Sequence, residues 1–141
     1  MTLNIISKNG KLFLNEERFH LKGLNWFGFE TSDYVVHGLW QVSMDSLFDF
    51  ITKNKFNAIR IPFSVELALN PLTKPKSTTI SYKLNMDLIN KTALEILDLL
   101  IDKAANRGIV ILLDQHRLAA NDGISELWTN STYPEDKIIL S

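Results

Sequence analysis

The sequence predicts an α/β fold on a parallel sheet: an N-terminal β-hairpin, then about three βα units. Three observations carry this. Short β-type runs alternate with segments of helical periodicity. The third interior run, Ile109-Val-Ile-Leu-Leu113, is apolar without alternation, as in a strand covered on both faces. Polar and aromatic residues gather just after each run, where parallel α/β folds hold their ligands.

Taken in order, Lys11-Leu-Phe-Leu14 and Phe19-His-Leu-Lys-Gly-Leu24 flank the polar Asn15-Glu16-Glu17-Arg18, which reads as a hairpin. The second run leads into Asn25-Trp-Phe-Gly-Phe-Glu30, a loop dense in aromatics. Met44, Leu47, Phe48 and Ile51 then recur at helical spacing, with Ser43 placed as N-cap. Ala58, Ile59 and Ile61 fit a short buried strand, and Pro62 is expected to end its ladder pairing. Residues 64–86 hold Pro71, Pro75 and a Ser-Thr-Thr cluster, so they read as a long loop. Thr92-Ala-Leu-Glu95 is a capping-box pattern. Ala93, Ile96, Leu97, Leu100, Ile101 and Ala104 form one apolar stripe, and Gly108 stands where a helix C′ residue belongs. The third strand runs into Asp114-Gln-His-Arg117.

Strands alternating with helices leave two architectures, a doubly wound sheet and a (β/α)8 barrel. A nucleotide-binding unit wants a glycine-rich turn after its first strand, so that backbone can approach phosphate. Asn25-Trp-Phe-Gly-Phe-Glu30 is too bulky for that, which favours the barrel.

Composition excludes other classes. The 141 residues are 45% hydrophobic and 22% charged, which is neither disordered nor membrane-embedded. A net charge of -1 gives no electrostatic footprint for nucleic acid. With no cysteine there are no disulfides or thiolate metal sites. The sequence from Met1 has no basic region leading into an apolar core, so no signal peptide is expected in this chain. No apolar run nears the ~18 residues of a membrane span.

The candidate site residues sit at strand ends. Asn25 and Trp26 end the first strand, Arg60 lies at the end of the second, and Asp114, His116 and Arg117 end the third. An arginine in an apolar strand is costly unless its guanidinium is paired or opens into a cleft. Arg60 is either salt-bridged to a loop carboxylate or aimed at a site. His116 reads as a general base, a metal ligand or a structural histidine. His20 and His37 form no metal-ligand spacing with it and there is no HExxH, so no metal or other cofactor is expected. Trp26, Phe27, Phe29, Tyr34, Trp40 and Trp128 concentrate near these loops, and such rings suit the apolar faces of sugars. Phe29 is expected in the core and Trp40 in solvent.

These residues carry a resemblance. Leu21-Lys-Gly-Leu-Asn-Trp-Phe-Gly-Phe-Glu-Thr31 with Tyr34-Val-Val-His-Gly-Leu-Trp40 resembles the first barrel strand and loop of family 5 glycoside hydrolases of the endoglucanase type. Phe56-Asn-Ala-Ile-Arg-Ile-Pro-Phe-Ser64 resembles the second strand of that family, and Ile111-Leu-Leu-Asp-Gln-His-Arg117 with Leu127-Trp128 the third. The resemblance implies that residues 1–141 are part of a (β/α)8 catalytic domain, reaching just past the third barrel strand. It implies retaining hydrolysis of β-1,4-glucan, a polysaccharide or oligosaccharide partner, and an extracellular protein. By the same resemblance Arg60 orients the nucleophilic glutamate, and His116 contacts the sugar at the cleavage point. Asn25, Trp26, His37, Trp40 and Trp128 join His116 as substrate-binding candidates.

Two departures from the family pattern stand out. Some relatives carry a cysteine near Ser32 and another in the loop after His116; this chain has neither, and Leu118–Glu126 lacks the usual proline. The family places its acid/base in an Asn-Glu-Pro-like motif ending the fourth strand and its nucleophile at the end of the seventh. Retaining hydrolysis needs two carboxyl groups about 5–5.5 Å apart, and no pair among Glu16, Glu17, Glu30, Glu66, Glu95, Glu126 and Glu135 fits those motifs. The expectation is a chain of marginal stability with supporting residues but no glucanase turnover. The alternative is a non-catalytic module that binds carbohydrate or complements the C-terminal part of the barrel.

Overall fold

The structure is a computed structural model that describes residues 4–139. Met1–Leu3, the start of the stretch read above for a leader, and the last two residues lie outside the described residues.

The chain opens with an antiparallel meander, β1 (Ile5–Lys8), β2 (Lys11–Leu14) and β3 (Glu17–Phe19). Asn15 and Glu16 both take positive φ and make the second turn. The expected hairpin is thus corrected in two ways. A first strand precedes it, and Phe19–Leu24 is not one strand. It divides between β3 and β4 (Gly23–Asn25), which joins a different sheet. Ile5 and Ile6 are exposed, so no burial pattern announced β1.

The second sheet is parallel, in the order β4, β5 (Ala58–Ser64), β6 (Val110–Arg117). Helix α1 (Met44–Lys53) connects β4 to β5, and α3 (Ala93–Ala105) connects β5 to β6. Ser43 caps α1, its hydroxyl accepting from the Ser46 N–H, and Met44, Phe48 and Ile51 are buried as the periodicity required. The Thr92–Glu95 capping box is closed in both directions. Gly108, at φ 68°, ends α3 in a Schellman arrangement: Ile109 N–H donates to the Ala104 carbonyl and Gly108 N–H to Ala105, each at 3.0 Å. The core lies between these helices and the outer face of the sheet, where Ile59 and Ile61 meet Phe48, Ile96 and Leu100.

Three further expectations are corrected. First, β5 does not stop at Pro62; it pairs on to Ser64. The Arg60 carbonyl accepts from Trp26 N–H, so Arg60 turns its backbone toward β4. Pro62, two residues on, faces the same side, beyond the end of β4, and its missing N–H breaks no ladder bond. Second, residues 64–86 are not all loop. Ser64 caps a short α2 (Val65–Leu69), and a 3-10 turn follows at Met86–Leu88. Third, β6 is not covered on both faces, since Leu112 is 60% and Leu113 47% exposed. β6 is an edge of the sheet, and its inner face looks into an open apolar hollow of about 340 Å³, lined also by Ile5, Leu12 and Phe19 of the meander. A last short helix, α4 (Glu135–Ile139), was not foreseen. Among the described residues no helix is long and apolar enough to cross a membrane.

Candidate active site

The carboxyl ends of β4, β5 and β6 bring Asn25, Arg60, Asp114 and His116 together. Arg60 pairs in register with Leu112, so its long side chain reaches the next residue on that face, Asp114. One guanidinium nitrogen, Nη2, bonds Asp114 Oδ2 and lies 3.1 Å from His116 Nδ1. The other, Nη1, approaches Asn25 Oδ1 at 3.4 Å. His116 Nδ1 is 3.0 Å from Asp114 Oδ2, closing a triangle. A guanidinium only donates. His116 therefore accepts from Arg60 when its proton is on Nε2, and donates to Asp114 when it is on Nδ1.

His116, two residues past Asp114, lies on the same face of β6 by alternation. Phe63 pairs with Gln115 but Ser64 with Arg117, leaving His116 as an extra residue in the ladder. Both readings of Arg60 meet here. It is paired, though to the carboxylate of the adjacent strand rather than of a loop, and about a third of its side chain stays open to solvent.

The loop after β4 folds back on itself. His37 N–H donates to the Phe27 carbonyl, and the Trp26 indole N–H to the His37 carbonyl at 2.8 Å. Trp26 is only 8% exposed and meets Phe48 edge-on. The structure therefore moves Trp26 from the substrate-binding candidates into the core, because its polar atom is spent on holding the loop. Phe29 is fully buried and Trp40 is 47% exposed, as expected. His37 stands between Phe27 and Trp40, with ring centroids at 4.1 and 5.3 Å, and its Nε2 pairs with Asp33 Oδ2 at 2.9 Å. Phe27, His37 and Trp40 thus form a continuous, half-open aromatic strip.

Trp128 lies on the loop after β6 and is exposed. A groove of about 400 Å³ runs between that loop and the strand end, lined by Gln115, His116, Leu127 and Trp128 among others. Gln115 Nε2 reaches the Trp128 carbonyl at 3.5 Å.

Sequence reasoning missed two residues here. Asp33 stands four before His37 and fixes its ring. Glu66 on α2 accepts from the Tyr34 hydroxyl at 2.9 Å and from Ala120 N–H at 2.8 Å. Burial, then the Glu66 carboxylate, push the Tyr34 pKa up. Nothing in the sequence pairs residue 66 with 34 or 120. Among the described residues no three His, Cys, Asp or Glu side chains gather as a metal site.

The chain is similar to known proteins. The family model described as cellulase (glycosyl hydrolase family 5) matches residues 14–138. An endoglucanase of Paenibacillus polymyxa is 44% identical over 96% of this chain and 32% of its own length. The major extracellular endoglucanase of Xanthomonas campestris pv. campestris is 40% identical over 93% of this chain and 25% of its own. An endocellulase from Pyrococcus horikoshii, solved as a glutamate-to-alanine variant with cellotetraose, superposes with a TM-score of 0.89 at 35% identity, over 98% of this chain and 37% of that one. The chain thus spans about a third of the length of these relatives. Its sheet and helices are the N-terminal part of a (β/α)8 barrel, and the chain belongs to glycosyl hydrolase family 5.

Proposed function

We propose that this chain supplies the substrate-aligning side of a retaining β-1,4-glucan hydrolase site, and that the two catalytic carboxyl groups are not among its residues. The observation that carries this is the Arg60–Asp114–His116 triangle at the ends of adjacent parallel strands. A fixed guanidinium there orients a carboxylate brought from elsewhere in a barrel. His116 offers its imidazole to a sugar hydroxyl, and Trp40 and Trp128 offer ring faces to glucosyl units. Asn25 lies in reach of the same guanidinium, and His37 backs Trp40.

The glutamates near the site support the second half of the proposal. Glu30 is buried and accepts from Gly28 N–H, and both oxygens of Glu66 are hydrogen-bonded. Neither is a free carboxyl across from a partner at the spacing retention requires. The cellotetraose bound by the Pyrococcus horikoshii enzyme supports a cello-oligosaccharide as ligand. The purified chain is expected to release no reducing sugar from a soluble cellulose derivative; measurable turnover would overturn the placement of the carboxylates outside it.

The exposed rings also favour a second reading, a non-catalytic glucan-binding or complementing module. Tryptophan emission titrated with cellotetraose tests the binding that both readings share. The response should fall in Trp40→Ala, and a silent wild-type chain removes glucan binding.

A further inference from the structure

We infer that Glu66 is a positioning residue whose carboxylate links the loop after β4 to the loop after β6, so that one side chain sets both aromatic walls of the candidate glucan site. This rests on the reading above only for what the walls bind.

The geometry is specific. Ser64 ends β5 and caps α2, which fixes Glu66 at the junction of the strand end with its loop. One oxygen, Oε1, takes the Tyr34 hydroxyl, three residues before His37 and six before Trp40. The other, Oε2, takes the amide of Ala120, in the loop that continues to Trp128. The Glu66 backbone N–H adds a third link, to the Leu118 carbonyl at 2.9 Å. What lies behind each link is buried: Val35 and Val36 behind Tyr34, and Leu118 and Ala120 themselves. Tyr34 is held at φ 52°, a left-handed conformation that a tyrosine adopts at a cost. A bond at the far end of its side chain is a reason for that conformation to persist. The site thus has its charged triangle on the strands and a separate clasp across the loops, with no residue in common.

The two links, rather than the charge, are what the proposal needs. Glutamine keeps both: its amide oxygen accepts from Ala120 N–H, and its NH2 donates to the Tyr34 oxygen. Methionine fills similar volume and keeps neither. Hydrogen exchange on the whole chain, followed by mass spectrometry, reads this directly. In Glu66→Met, exchange in 31–43 and in 118–128 should accelerate about tenfold, the loss of a hydrogen bond to a charged group. Exchange in 44–53 and 93–105 should not change. Glu66→Gln should stay within about threefold of wild type, and Tyr34→Phe should loosen 31–43. Cellotetraose should bind Glu66→Met about tenfold more weakly, although every ring is present.

The proposal is overturned if Glu66→Met leaves either loop unchanged, if it loosens the helices equally, or if Glu66→Gln is as damaging as Glu66→Met. A wild-type chain that ignores cellotetraose defeats the glucan reading alone, and the exchange comparison still decides the clasp.

Discussion

Replacing Asn85 with alanine should cost this chain about 2–4 kcal/mol, from two stranded backbone groups and the lost packing. Asn85 is buried and lies in the segment between α2 and α3. Its Oδ1 accepts from Met44 N–H at 2.8 Å, the first amide of α1. Its Nδ2 lies within 3.1–3.3 Å of the carbonyls of Leu39, Val42 and Ser81. The Leu39 carbonyl keeps Ser81 N–H, and the Ser81 carbonyl keeps Leu84 N–H. Alanine therefore strands chiefly the Met44 donor and the Val42 acceptor. With a urea slope of about 2 kcal/mol/M, the unfolding midpoint should fall by about 1–2 M. Asn85→Asp separates the causes. It keeps an acceptor for Met44 but turns a carboxylate toward three carbonyl oxygens, which raises the folded-state pKa of that carboxyl. Its protonated form is the one the fold tolerates, so stability is present below the unfolded pKa and lost as pH rises through the folded one. The aspartate variant should recover relative to wild type as pH is lowered from neutrality. An alanine variant within about 1 kcal/mol of wild type, or an aspartate variant with no such recovery, would refute this account of how the Trp40 loop is anchored.

Other perturbations have equally definite outcomes. Gly28→Ala cannot be absorbed locally, because a Cβ at φ 139° would stand 2.1 Å from the Val35 carbonyl oxygen; the loop must move, and loss of the Trp40 contribution to cellotetraose-induced quenching would report it. The α1–α3 contact should be flat in pH around neutrality. The hydrogen bond from Lys103 leads in holding the Asp45 pKa low, so that stabilisation is present above the unfolded carboxyl pKa and lost as pH falls through the folded one. Burial opposes the Lys103 charge, but Asp45 and Asp87 outweigh it and raise its pKa, so that stabilisation is lost only as pH rises through the raised value. Asp45 is half-exposed, so Asp45→Asn should cost only about 0.5 kcal/mol at pH 7, less in high salt, with urea unfolding at two ionic strengths as the check. Asn57→Ala should cost about 1–2 kcal/mol and speed amide exchange at the lower end of β4, since its side chain bonds Lys22 N–H and the His20 carbonyl, while β6 should be unchanged because the bond from Val110 N–H goes to the backbone carbonyl, which alanine keeps.

What the sequence made legible follows from range. Helix α1, the α3 capping box and the Gly108 stop depend on residues within a turn or two of each other, and each was readable from spacing. Strand-end polar residues were readable because a parallel sheet gives them one destination. The failures are long-range or lack a burial signal. β1 carries exposed isoleucines, so its pattern is no guide. The continuation of β5 past Pro62 depends on where β4 stops, 35 residues earlier in the paired register. Trp26 belongs to the core because the carbonyl of His37 comes back to meet its indole, and no local rule foretells that.

The same contrast explains how the site is assembled. Asn57, one residue before β5, receives and donates bonds on both flanks: to Lys22 and His20 on the β4 side, and to Val110 at the start of β6. These bonds set the register of all three strands at the end opposite the site. Three residues further on, that register puts Arg60 beside Asn25 and Leu112, and the guanidinium spans the remaining distance to Asp114 and His116. A slip of one residue in β6 would present Leu113 and Gln115 to that guanidinium and leave its charge unpaired. The chemistry of the strand ends therefore follows from strand register, to which the Asn57 side chain contributes on the β4 side alone, whereas the loops beyond the strands need clasps of their own, at Asn85 and at Glu66. Loss of a clasp should cost ring placement and leave the charged triangle standing; loss of the Asn57 side chain should loosen the β4 side, where Asn25 approaches Arg60, and leave the β5–β6 pairing in place.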